Sequence, residues 1–138
     1  MLRREDAVTD AADLVARMEA LPDLVNGDAW LVHRGRFLSA DLLIEIGALP
    51  FHVAIEQGRI ARLERGPLLL RPWRFAIRGG EDGWRQFWSK TPPPLFHDIF
   101  ALTKQAGFRI EGDLSPFMAN LLYFKDVLAA PRRLEMAQ

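Results

Sequence analysis

The chain has 138 residues, 49% of them hydrophobic and 26% charged, which is enough apolar material for one compact core and too much for a disordered chain. Eighteen basic residues balance eighteen acidic ones, so no global field steers the protein toward nucleic acid or an anionic surface. The absence of cysteine excludes disulfide frameworks, cysteine nucleophiles, Cys-ligated zinc and iron–sulfur clusters, and leaves three histidines for metal work.

Val8, Ala11, Ala12, Val15 and Met18 follow helical spacing, predicting an N-terminal helix over 5–21 that Pro22 stops. After the polar turn Asn26-Gly27-Asp28, the segment 30–33 reads as extended. Leu38, Ala40, Leu42, Ile44 and Ile46 alternate with Phe37, Ser39, Asp41, Leu43 and Glu45, a period-two pattern that argues strand. Phe51, Val53 and Ile55 repeat the alternation, Gln57-Gly58 turns the chain, and 59–65 returns as a further strand ended by Gly66-Pro67. Trp73, Phe75 and Ile77 predict a fourth strand with one shared inner face, so 37–77 reads as an antiparallel meander. Helical spacing of Trp84, Phe87 and Trp88 places a helix over 81–88, and Pro92-Pro93-Pro94 separates it from another over 95–106 that carries Phe96, Ile99 and Phe100. A short strand over 108–112 follows, then a closing helix from Ser115-Pro116 to about Ala130, with serine as cap and proline at the first helical position.

Charged residues occupy the first positions, where a secretory leader needs an apolar run, and no stretch approaches the roughly 18 apolar residues of a spanning helix. The expectation is therefore a single cytoplasmic domain over 1–138, its core over about 36–130, without nucleic-acid partners or stable membrane insertion. Nucleotide-binding, zinc-protease and hydrolase signatures are absent. His52 and Glu56 lie about 13 Å apart along a strand at 3.3 Å per residue, too far for one ion, so no metal or cofactor is expected. His97-Asp98 reads as helix-start chemistry, and Asp113 as a group that satisfies first-turn amides; Glu111 and Asp113 on one side of a strand are the remaining acid/base alternative.

Apolar supply exceeds what a packed stripe needs. The closing helix carries Phe117, Met118, Leu121, Leu122, Tyr123, Phe124, Val127 and Leu128, nearly two stripes, and Leu68, Leu69, Leu70 and Trp73 crowd a loop bounded by prolines. An internal ligand cavity or an interface would use both surpluses.

The strand-turn-strand FHVAIEQGRIARLERG, the strand and helix WRFAIRG and GWRQFW, and the block AGFRIEGDLSPFMANLLYF, with Ile110, Gly112 and Asp113 in its Gly-Asp strand, resemble the sterol carrier protein 2 family, including its remote bacterial members. The chain departs from that pattern at Trp73-Arg74 and at Thr91-Pro92-Pro93-Pro94. The resemblance implies an α+β fold, a mostly antiparallel sheet of five or slightly more strands with helices on one face, and a tunnel for fatty acyl, sterol-like or other apolar small molecules. With the apolar pattern it predicts cavity walls from Leu70, Trp73, Phe75, Ile77, Trp84, Trp88, Phe96, Phe100, Phe117, Leu121 and Phe124, and head-group contacts from Arg71, Arg74 and Arg78. The function expected is a non-catalytic carrier; the alternative is an interaction subunit or homodimer that uses the same surplus faces.

Overall fold

The computed structural model describes residues 4–66, 71–94, 96, 99–102 and 107–134, with the backbone alone for 4–10 and 100. In chain order the elements are α1 (Arg4–Asn26), α2 (Ala29–Arg34), β1 (Ser39–Ile46), β2 (Leu49–Glu56), β3 (Arg59–Arg65), β4 (Phe75–Gly79), α3 (Glu81–Phe87), α4 (Ile99–Leu102), β5 (Arg109–Gly112), α5 (Ser115–Ala119) and α6 (Leu121–Ala129), closed by a 3₁₀ turn, Ala130–Arg133. The fold is α+β, with one five-stranded sheet in the order β3-β2-β1-β4-β5. Among the described residues no helix is long and apolar enough to cross a membrane.

Alternation sorts the sheet into two faces. Ala40, Leu42 and Ile44 stand opposite Ile55, Val53 and Phe51, and Leu42 and Ile44 are level with Phe75 and Ile77; all are buried, and together they form the inner face. Asp41, Leu43 and Glu45 point the other way, beside Ala54, His52 and Pro50.

The predicted meander holds for β1 to β3 and fails at β4. That strand pairs parallel with β1 and antiparallel with β5, away from its sequence neighbour β3. The cause lies in its burial: Phe75 and Ile77 face the core while Ala76 is fully buried on the opposite side, so β4 takes an interior position and not an edge. The described residues that lead into β4 lie on the sheet face that carries His52, opposite the inner one. The Pro72 carbonyl lies 3.0 Å from His52 Nε2, and Arg71 pairs with Glu64 at 2.8 Å.

Three helical expectations change. Helix α1 continues through Pro22 to Asn26. Proline removes one donor there, but Leu21 and Val25 on either side are buried, and the Asn26 side chain clips the helix end to β3, accepting from Ile60 N at 2.8 Å and donating to Ile60 O at 3.0 Å. Segment 30–33 is helical, because Asp28 accepts from Leu31 N at 3.2 Å as an N-cap and Leu31 is buried. The closing helix is broken at Asn120 (φ −126°, ψ 38°), whose side-chain amide donates to Pro116 O at 3.0 Å in competition with the helical ladder. Leu114, and not Ser115, precedes α5 as its cap residue. The predicted helix over 95–106 is described only at α4, and the leucines of the 66–73 loop lie outside the described residues.

Candidate functional site

The inner face of β4 and the α5–α6 pair build an aromatic interior. Phe75 meets Phe117 edge-on at 5.6 Å between centroids and Phe124 at 5.3 Å, while Phe117 and Phe124 stack at 5.6 Å. Beside them α3 contributes Trp84 and its C-cap residue is Trp88, the two rings lying 5.0 Å apart, and Phe108 approaches Trp84 at 5.3 Å. The two indoles are also satisfied as polar groups: Trp84 donates to the Glu45 carbonyl at 3.2 Å and Trp88 to the Leu128 carbonyl at 2.7 Å. A buried indole N–H needs such a partner.

Of the eleven predicted wall residues, this interior gathers Phe75, Ile77, Trp84, Trp88, Phe117 and Phe124, all buried. Phe96 and Leu121 are partly buried and pack against the same cluster. Leu70 and the Phe100 side chain lie outside the described residues. Trp73 does not share the inner face with Phe75 and Ile77; it precedes β4, is 36% exposed, and has the Arg78 guanidinium 5.7 Å from its ring. A position outside the regular strand has no obligation to follow its alternation.

The three arginines lie away from the aromatic interior. Arg78 projects to the opposite sheet face, where it bonds Glu45 at 2.7 Å and Glu111 at 3.2 Å; Arg74 meets Asp113 at 2.9 Å, and Arg71 meets Glu64. Each carries a carboxylate partner from this chain. Glu111 is further engaged by Arg109 at 2.6 Å, so Glu111 and Asp113 serve separate cations and do not form an acid/base pair. His97 lies outside the described residues. Among the described residues there is no cluster of three or more histidine and carboxylate side chains that could hold a metal ion.

Asp113 performs the amide-satisfying role expected of it, its Oδ1 accepting from Ser115 N at 3.0 Å. That backbone hydrogen bond, then the Ser115 hydroxyl and Arg74, hold its carboxyl below the usual carboxylate range. A depressed folded value means that Asp113 supports the native state above the ordinary carboxylate range and ceases to do so as pH falls through its own lower value. In a carbon-detected NMR titration Asp113 should titrate below an unstructured aspartate, and Arg74→Ala should shift it only part of the way back, since the Ser115 amide remains. A midpoint at or above the ordinary value would contradict this assignment.

A shallow, solvent-open hollow of about 380 Å³ with mixed polar and apolar walls lies at the α5–α6 break, lined by Arg34, Met118, Ala119, Asn120, Leu121, Leu122 and Tyr123. Arg34 is held there by an ion pair with Asp126. Tyr123 anchors this corner: its hydroxyl donates to the Gly58 carbonyl at 2.7 Å, and burial pushes its ionisation well above the usual phenol range. Sequence reasoning placed no ligand contact at Arg34 or Tyr123, because their partners lie 92 and 65 positions away. The only local trace is the glycine pair Gly35 and Gly58, needed where chain meets chain: a methyl group on Gly35 would fall 2.4 Å from the Tyr123 ring.

The sequence matches no protein-family model and no curated protein. The fold is that of sterol carrier protein 2: a crystal structure of that protein superposes with a TM-score of 0.68 at 8% identity, over 87% of this chain and 96% of the other. A conserved hypothetical protein of Thermus thermophilus, suggested to be a sterol carrier protein, aligns with a TM-score of 0.60 at 10% identity over 84% of this chain and 86% of its own. A ubiquinone synthesis protein, UbiJ-SCP2, aligns over 99% of this chain and 100% of its own, with a TM-score of 0.52 and 10% identity.

Proposed function

We propose that this protein binds and carries an apolar small molecule of the fatty acyl or sterol-like class, without converting it. The observation that carries the reading is an aromatic interior adjoined, through the half-buried Leu121, by a shallow solvent-open hollow at the helix break. The fold shared with sterol carrier protein 2 supports the same class of ligand.

In this reading the ligand enters beside Leu121 and displaces Phe117, with α5 swinging about the non-helical Asn120. Magnitudes favour that exchange. Displacing Phe117 breaks its ring contacts with Phe75 and Phe124, each worth about 0.5–1.5 kcal/mol beyond area burial, and exposes a buried ring at a cost of about 1.5–3 kcal/mol more. At about 0.8 kcal/mol per buried methylene, an acyl chain of roughly eight carbons offsets the opening. A polar head left at the mouth would meet Arg34, sharing it with Asp126, while Arg71, Arg74 and Arg78 lie on other surfaces.

The test is uptake of a fluorescent fatty acid by the parent protein and by Leu121→Trp. The larger ring should fill the hollow and abolish uptake with little change in melting temperature, because Leu121 stands beside open space. In a solid core the same change is overpacking and costs about 1–3 kcal/mol. A parent that takes up no probe, or a variant that takes it up unchanged, overturns the reading.

A further inference from the structure

We infer that Asn26-Gly27 is a site of spontaneous deamidation that the native fold guards, and that conversion of Asn26 unfastens α1 from β3 without return. This does not rest on the carrier reading, since none of the residues involved lines the hollow at the α5–α6 break.

The sequence supplies the reactive pair. An asparagine side chain closes most readily on the backbone nitrogen of a following glycine, because no side chain hinders the ring and the backbone adopts the conformation it needs. The chain has two asparagines, and the other, Asn120, is followed by the bulky Leu121. In the reaction the Gly27 nitrogen attacks Asn26 Cγ and gives up its proton to solvent base, while the Cγ–Nδ2 bond breaks and Nδ2 takes up a proton from water and leaves as ammonia. Water then opens the cyclic imide at either carbonyl, which gives aspartate or isoaspartate at position 26.

The native structure occupies the atoms that this step needs. Gly27 N donates to Asp23 O at 3.0 Å, the Asn26 amide donates to Ile60 O at 3.0 Å, and Asn26 Oδ1 accepts from Ile60 N at 2.8 Å. Ring closure therefore waits for the end of α1 to open. Solvent stands beside the pair throughout: Gly27 is exposed, and Asn26 and Ile60 line an open hollow with Ser39, Glu56 and Arg59.

Once formed, the product does not remake the clip. An aspartate at 26 still accepts from Ile60 N, but its second oxygen has no proton for Ile60 O, so acceptor faces acceptor; isoaspartate also carries an extra methylene in the backbone. The new charge is misplaced as well. The last turn of α1 holds no basic residue and already contains Asp23, and an anion there opposes the helix dipole. Because β3 is the outermost strand on its side of the sheet, the Ile60 carbonyl is left unpaired at an edge.

The test is peptide mapping by mass spectrometry after incubation of the intact protein at mildly alkaline pH, in native buffer or in guanidinium chloride. Under denaturing conditions residue 26 should deamidate ahead of Asn120. In native buffer it should convert at least about tenfold more slowly, the ratio reporting how rarely the helix end opens. Asp82-Gly83 isomerises through the same kind of imide, but without the gain in mass that exchange of ammonia for water brings, so mass distinguishes the two positions. Asn26→Asp should melt about 5 °C below the parent, and the aged, deamidated protein at least as low. The proposal is overturned if native and denatured protein convert at one rate, if Asn120 converts before residue 26, or if the deamidated protein and Asn26→Asp melt with the parent.

Discussion

Trp88→Ala should lower the unfolding free energy by about 3–5 kcal/mol, the cost typical of removing a large aromatic side chain from a core. Trp88 is 1% exposed, touches the rings of Trp84 and Phe87, and reaches across to α6 through its 2.7 Å bond to the Leu128 carbonyl. Truncation therefore removes three things at once: apolar contact, indole stacking, and the partner of a buried carbonyl. Trp88→Phe separates them. It keeps most of the ring and loses the donor, and should cost only about 1–3 kcal/mol. Denaturant midpoints of the two variants check the ranking; equal midpoints would mean that the hydrogen bond, and not the packing, fastens α3 to α6.

Gly58→Ala should be nearly as damaging although it adds a single methyl group. Gly58 sits at φ +82°, and a Cβ there would lie 2.5 Å from the Val32 carbonyl oxygen and 2.8 Å from the Gly35 carbonyl carbon. Both neighbours are backbone and cannot rotate away. Backbone strain of about 1–3 kcal/mol then adds to a clash of similar size, and the shift also disturbs the carbonyl that accepts the Tyr123 hydroxyl. Gly66→Ala is the matched control: it has φ +109° but, among the described residues, nothing within 4 Å of an added Cβ, so it carries the backbone penalty without the clash. Thermal melts should place Gly58→Ala clearly below Gly66→Ala. Coincident melts would show that positive φ alone accounts for the effect.

The alternation of β1 and β2 was readable residue by residue because a strand with one buried face repeats every two positions, and the structure buries Leu42, Ile44, Phe51 and Val53 as that pattern requires. The aromatic interior was readable for a related reason: Trp84, Phe87 and Trp88 recur at helical spacing, which puts all three on one side of a helical turn, and all three are buried. Short elements escaped. Helix α2 has six residues, fewer than two turns, too few for a period to declare itself, and its Asp28 cap resembles the turn residues around it. Asn120, in the middle of an apolar run, marked the helix break only through a side-chain bond that composition does not display.

By itself the sequence determined the fold class, the strand alternation, the identity of the core and the surplus of apolar side chains in the closing segment, because each of these is a local pattern or a count. Only the tertiary structure decided which strands are neighbours, which surplus side chains face inward, and which charges pair. Strand order depends on which partners bury both faces of β4, a contest among distant segments that no period in 73–79 records. The division of the closing segment into an inward stripe with Phe117 and Phe124 and an outward one with Met118 and Leu122 depends on which flank α2 leaves uncovered. A neutral sum of charges likewise says nothing about position: folding pairs Arg34 with Asp126, 92 positions away, and Arg133 with Asp28.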